Sequence, residues 1–485
     1  RTLPHSRRHY LHLSGRLDCQ HDGRDPGRGD FGARIRTRRN PHGRSGQRFG
    51  DGRTQARGLF LMNDNQIVKA PLRVTTAGSV DDGKSTLIGR LLWDLDAVPL
   101  DQRANLERDM ERKGRTIPDF ALLTDGLVAE REQGITVDVA YRYFASPKRK
   151  YIVADVPGHE QYTRNMATGA SRADAAVTLI DARRGVTVQT RRHLCISALL
   201  RVRTQIIAVN KMDLIGHDLR RFTAIRDEIA DFSKRLGRPV PDTVPISALA
   251  GENVVTKSNE MSWYDGPPLL DLLDAAPGES FRVELPLRMP VQGVNRPQSK
   301  EHHDFRGYMG RIESGSIEVG QKISVYPSGL TTTVTGIYLG STPLSRAEAP
   351  MSVCVTVADE LDVSRGDLIA DPESPPQVSR KLAADLVWLD RANLDMRRPY
   401  LIKHGARTHQ AKIESLDHLL DITTLSQIDA EGKLATNEIG RVAIRIGADV
   451  PFDLYEDNRA TGAFVVLDPA TNATLAGGII RGVAA

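Results

Sequence analysis

An apolar run, "LRVTTA" (Leu72–Ala77), leads directly into Gly78, Ser79, Val80, Asp81, Asp82, Gly83, Lys84, Ser85 and Thr86. A glycine, four residues, then Gly-Lys-Ser is the spacing of a phosphate cradle. Few features narrow a fold further, because such a loop works only between a buried strand and the start of a helix. Both flanks fit. β-Branched residues precede the loop, and Leu87, Leu91, Leu92 and Leu95 follow it at helical spacing. The expected chemistry is that backbone N–H groups and the helix N-terminus face phosphates. Lys84 reaches the outer phosphates, and Ser85 offers a hydroxyl to Mg2+.

Three later segments say which nucleotide. "YIVADVPGH" (Tyr151–His159) reads as a second buried strand ending on Asp155, followed by Val156, Pro157 and Gly158. A carboxylate at the end of a neighbouring strand is what magnesium beside the phosphates requires. "TQIIAVNKMD" is a third strand ending in Asn210, Lys211, Met212 and Asp213. The Asp213 carboxylate can accept from both the ring N–H and the exocyclic amine of guanine, donors that adenine lacks there. "VPISALAG" is a fourth strand, with Ser247 and Ala248 at its tip for the guanine oxygen. The four together predict GTP as the ligand.

These motifs resemble those of the translational GTPases. "EREQGITVDVAYRYF" is similar to their first switch loop, which implies that Thr136 joins Ser85 and Asp155 as a magnesium ligand. "DVPGHEQYTRNMATGAS" is similar to the second, which implies that His159 orients the attacking water, with Val80 and Ile135 as an apolar gate. Within that class the chain most resembles the GTPase subunit of bacterial ATP sulfurylase, the sulfate adenylyltransferase. The likeness runs from Leu72 to Ala485, and its wording includes "GSVDDGKSTLIGRLLWD", "YLIKHGARTHQAKI" and "YEDNRATGAFVVLDPATNATLAGGII". In the cradle, Asp82 stands where elongation factors usually carry histidine. The resemblance implies a cytoplasmic subunit whose GTP hydrolysis drives synthesis of adenylylsulfate and diphosphate from ATP and sulfate, the first step of sulfate assimilation. It also implies a separate small catalytic subunit as partner, which binds ATP and sulfate. The alternative is an elongation-factor-like GTPase delivering aminoacyl-tRNA.

The remaining chain sets the architecture. "DAAPGES" (274–280) reads as a linker, and "DPESPPQV" (371–378) as a second boundary. Short β-rich runs between glycine turns lie on both sides of the second boundary, which suggests small barrels. The expected plan is an α/β P-loop GTPase domain over 62–278, then β-barrel domains over 281–375 and 377–485. His302, His303 and His404 are expected to be scattered surface polar groups rather than metal ligands. Three widely spaced cysteines argue against a disulfide framework.

Charge at first suggests nucleic acid, since the chain is +5 overall. Its distribution says otherwise. Residues 1–61 hold 14 arginines, no lysine, 5 aspartates and no glutamate, leaving 52 basic against 56 acidic residues in the body. That leader has no helical or strand period and no apolar signal core. It is expected to be a disordered segment upstream of a natural start at Met62, and no nucleic-acid or membrane partner is expected.

Overall fold

The computed structural model describes residues 71–114, 116–123, 139–159, 163–296, 305–421 and 426–484. The leader, Thr136, Ile135, His302 and His303 lie outside the described residues.

Among the described residues, the first part of the chain forms a six-stranded sheet. Its strands are β1 (Leu72–Ala77), β2 (Ala140–Ala145), β3 (Lys150–Asp155), β4 (Ala175–Asp181), β5 (Thr204–Asn210) and β6 (Asp242–Pro245), in the order β2-β3-β1-β4-β5-β6. All neighbours are parallel except the edge pair β2 and β3. The helices are α1 (Lys84–Asp94), α2 (Leu100–Lys113), α3 (Thr163–Ser171), α4 (Val188–Leu199), α5 (Leu219–Arg235) and α6 (Leu269–Ala275).

Parallel strands covered on both faces read as continuous apolar runs, and β4 is buried at all seven positions. Alternate residues divide between the two faces. Leu72, Val74, Val153, Val177, Leu179, Ile206 and Ala208 pack with Leu87 and Leu91 of α1 and Leu269 and Leu273 of α6. Ile180, Ile207 and Val209 face Phe222, Ile225 and Ile229 of α5. Only the edge strand β2 shows alternation with solvent, with Tyr141 and Tyr143 exposed. Because the parallel strands run the same way, their C-terminal ends gather the loops after β1, β3, β5 and β6 on one rim.

Two antiparallel barrels follow. Among the described residues, the first is a ring of Lys322–Tyr326, Leu368–Ala370, Arg288–Asn295, Gly307–Arg311, Ser352–Val357 and Leu330–Leu339, which pairs back onto Lys322–Tyr326. The second runs Tyr400–His404, Ala463–Leu467, Thr474–Val483, Gln377–Trp388, Ile439–Phe452 and Arg407–Leu420, closing onto Tyr400–His404. Closure removes the edges that open sheets leave unpaired. His404 is half-buried, and its Nε2 lies 2.7 Å from the carbonyl oxygen of Thr461. That corrects the expectation of a surface histidine: the ring ties a strand end to a loop. No helix among the described residues is long and apolar enough to cross a membrane.

The second barrel also enters the nucleotide domain's packing. Tyr455 and Ile479 are buried with Ala77, Ala154, Val156, Met166, Ala170 and Ile196, and the Tyr455 hydroxyl donates to the Leu200 carbonyl at 2.9 Å. Arg459 donates to the carbonyls of Ser171 at 2.7 Å and Ala173 at 3.1 Å, at the C-terminal end of α3.

Candidate functional site

The loop after β1 is built where only glycine fits. Gly78 has φ +137°, and a Cβ there would stand 2.7 Å from the Leu179 carbonyl oxygen. Gly83, at φ +96°, caps α1 without any side chain to satisfy the helix. No side chain caps the first N–H groups of α1 (Lys84, Ser85 and Thr86), and no acidic residue stands in the first turn of the helix. A helix start left open in this way favours an anion.

Not every amide of the loop faces outward. Gly78 N–H donates to His193 Nδ1 at 3.0 Å, and Ser79 N–H donates to Asp82 Oδ2 at 2.6 Å. These two amides are turned inward, an exception to the expectation that the loop's N–H groups face phosphate. The Asp82 side chain is 1% exposed and braces the turn from inside. Burial raises its pKa, against the pull of the Ser79 N–H and the charges of Lys84 and Arg184. Ser79 Oγ lies 2.8 Å from Thr187 Oγ1, and Arg184 donates to the Val80 carbonyl at 3.1 Å.

Lys84 is 7% exposed and donates to the carbonyls of Gly78 at 3.1 Å and Ser79 at 2.8 Å. Burial pushes its pKa down, and the nearby carboxylates of Asp155, Asp82 and Asp81 push back. Asp155 is buried at the end of β3, with Thr76 Oγ1 3.4 Å from its Oδ1. Val156 is buried, and beyond Pro157 the backbone of Gly158 passes close to Lys84, where a Cβ would come within 2.4 Å of Nζ. His159 follows, exposed, four residues before α3 begins. Thr136 is outside the described residues, so its relation to Ser85 and Asp155 is not described.

The base motif is fastened to the cradle. Asn210, buried at the end of β5, donates through Nδ2 to the Asp82 carbonyl at 2.8 Å. Its Oδ1 accepts from Ala248 N–H at 2.9 Å, so one side chain holds the phosphate loop and the loop after β6 together. Lys211 donates to the Asp81 carbonyl and pairs with Asp181 at 2.9 Å. Burial works to raise the Asp181 pKa, but hydrogen bonds from Arg183 and Lys211 hold it well below the usual carboxylate range. Met212 is buried, and its N–H reaches the Ile246 carbonyl. Asp213 is half-buried at the start of the turn Met212–Ile215. Ser247 and Ala248 are buried just past β6.

His193, Thr187, Arg184 and Asp181 were not among the residues expected here. His193 lies fully buried on α4, its Nε2 2.8 Å from Gln189 Nε2, and its pKa is pushed down to about 3 by burial and then by the charges of Lys84 and Arg192. In the sequence it stands more than a hundred residues from Gly78, within "RRHLCIS", with nothing local to connect them. Only Thr187 left a trace: it caps α4 in a box with Thr190.

Comparison with known proteins agrees over both ends of the chain. The family model for the elongation factor Tu GTP binding domain matches residues 69–277, and that for the GTP-eEF1A C-terminal domain-like family matches 381–481. The chain is 47% identical over 420 residues to sulfate adenylyltransferase subunit 1 of Aeromonas salmonicida, covering 86% of this chain and 88% of that one. It is 49% identical over 416 residues to the same subunit of Vibrio cholerae, covering 85% and 86%. It is also 49% identical over 410 residues to the bifunctional enzyme CysN/CysC of Mycobacterium tuberculosis, covering 84% of this chain and 67% of that protein.

Proposed function

The chain belongs to the sulfate adenylyltransferase subunit 1 family, within the translational GTPase superfamily, and on that premise we propose how its cleft serves that enzyme. It is the GTPase subunit of a sulfate adenylyltransferase. GTP hydrolysis here drives the synthesis of adenylylsulfate and diphosphate from ATP and sulfate on a small catalytic subunit. The partner binds ATP and sulfate.

What supports the reading is the bracing at Asn210, which holds the loop after β1 and the loop after β6 together. Loops held by such bonds spend little binding energy on ordering themselves. The open N-terminus of α1 and the Lys84 ammonium take the β- and γ-phosphates, and Asp213 takes guanine beside the Ser247–Ala248 loop. Ser85 and Asp155, hard oxygen donors beside the cradle, would hold Mg2+, joined by Thr136 as the family resemblance implies, and the ion would neutralise charge at the phosphates. His159 orients water for attack on the γ-phosphorus, and the bond to the departing GDP oxygen breaks.

Hydrolysis can drive an uphill synthesis only if the partner's states differ in affinity for the GTP and GDP forms. The segments around Thr136 and His159 are the ones that sense the γ-phosphate. The test follows GTP hydrolysis and adenylylsulfate together, using the full chain with a small ATP-binding subunit, ATP and sulfate. Hydrolysis should accelerate on adding that subunit and its substrates, and adenylylsulfate should rise with GTP supplied. A non-hydrolysable analogue should not sustain that rise. Stimulation by ribosomes with aminoacyl-tRNA, and none by the small subunit, would overturn the reading.

A further inference from the structure

A cavity of about 690 Å³ opens where the nucleotide domain meets both barrels, away from the cradle. Arg201 and Arg203, between α4 and β5, and Arg238, after α5, form one wall. Arg282 and Arg288 come from the first barrel, and Arg459 from the second. Against these six arginines stand four carboxylates: Glu313, Asp453, Glu456 and Asp457.

Pairing does not use up the positive charge. Arg288 is neutralised by Asp453 at 2.8 Å and Arg201 by Glu456 at 2.7 Å, while Arg282 and Glu313 stand 3.7 Å apart. Among the described residues, Arg238 and Arg459 bond to carbonyl oxygens: Arg238 to Val202 at 3.3 Å, and Arg459 to the end of α3. A carbonyl accepts a hydrogen bond but leaves the charge in place. Among the described residues, the buried Nε of Arg459 has no hydrogen-bond partner. Burial, then Arg282 and Arg459, depress the pKa of Arg203 against the pull of Asp174; burial, then Arg201, depress that of Arg238. Cations brought together this closely repel one another unless an anion joins them.

From this cavity we propose a second anion site that takes a small multivalent oxyanion of the diphosphate class. The guanidinium fork matches paired oxygens on a tetrahedral centre. Excess positive charge calls for more than a single negative charge. No aromatic ring lines the cavity among the described residues, so nothing offers a stacking face to a nucleobase. A ligand here touches all three domains at once, and through Arg459 it reaches the end of α3, the helix that follows His159. Sulfate and diphosphate, reactant and product of the synthesis, both belong to this class; that source rests on the function proposed above, whereas the site itself does not.

The full chain, first saturated with GDP to fill the cradle, is titrated calorimetrically with diphosphate, phosphate and sulfate in separate arms. Diphosphate should bind saturably and tightest, and binding should weaken as salt is raised. Arg238→Gln and Arg459→Gln should each weaken diphosphate about tenfold or more, as expected for losing a charge-assisted contact. Arg238→Lys should fall between, and GDP affinity should not change in any variant. Because Arg459 also holds α3, Arg238→Gln is the cleaner variant if the other folds poorly. No saturable binding in any arm, or equal diphosphate affinity in wild type and Arg238→Gln, would overturn the site. Uptake of a second equivalent of GDP, competing with diphosphate, would overturn the inorganic ligand class.

Discussion

At the phosphate end of the cleft, side chains are turned inward on the loop: Asp82 onto Ser79, His193 onto Gly78, Lys84 onto two carbonyls. At the base end, Asn210 does the bracing, and Asp213, the residue proposed to read the base, is half-buried. The difference follows from what each end must recognise. Phosphate is met by backbone N–H groups, so the side chains there serve to shape the backbone. A base is told from its rivals by its edge, which takes a side chain of the right polarity. The phosphate end therefore governs whether a nucleotide binds, and the base end governs which one.

The sharpest way to break that contrast is Lys84→Ala. It removes a buried cation facing Asp155, Asp82 and Asp81, and nucleotide triphosphate affinity should fall about a thousandfold or more. Fluorescent-nucleotide titration measures it; retained affinity would move the phosphates elsewhere. His159→Ala belongs to neither end. It should leave GTP affinity intact and slow single-turnover hydrolysis by about a hundredfold. Wild-type turnover would remove His159 from the mechanism.

Asp213→Asn should test the base end alone, weakening GTP by about fiftyfold while xanthosine triphosphate gains, since xanthine carries an oxygen in place of the amine. A competition assay with both nucleotides distinguishes a changed preference from general loss. The smallest effect is expected at His193. Its pKa is about 3 in the fold, below the ordinary value of 6.5, so the folded state keeps the ring neutral. The unfolded chain takes up the proton first. The stability this contributes is therefore complete above pH 6.5 and is lost as pH falls toward 3, about 2 kcal/mol of it by pH 5. Glutamine can still accept from Gly78 without titrating, so His193→Gln should flatten the acid limb of urea midpoints measured against pH. Parallel limbs would refute the assignment.

Much of this was legible in the chain itself, for reasons that differ by region. Spacing reveals a loop whose chemistry lies in consecutive residues, as at Gly78–Thr86, and the strand ends at Asp155 and Asn210 were marked by apolar runs stopping on a polar group. The braces were not legible. His193, Thr187 and Arg184 reach the loop from more than a hundred residues away, and only the parallel register of β1 with β4 brings them there. The role of the Asp82 side chain was hidden for a related reason: in a tight turn a short carboxylate finds the nearest amide, here that of Ser79. Regular strand spacing indicated barrels, whereas the ring depends on pairing between residues distant in sequence, such as Leu401 with Leu467 and Leu382 with Val483.

The burial of Tyr455 and Ile479 among nucleotide-domain residues bears on how the molecule comes apart. A domain that lends side chains to its neighbour's interior cannot melt without opening that interior. The second barrel and the GTPase fold therefore share part of one cooperative unit, and nucleotide bound at one end protects strands at the other. Cutting the chain after the first domain would not release a self-sufficient GTPase. It would leave an uncovered apolar face around Met166 and Ala170, on the very helix that follows His159.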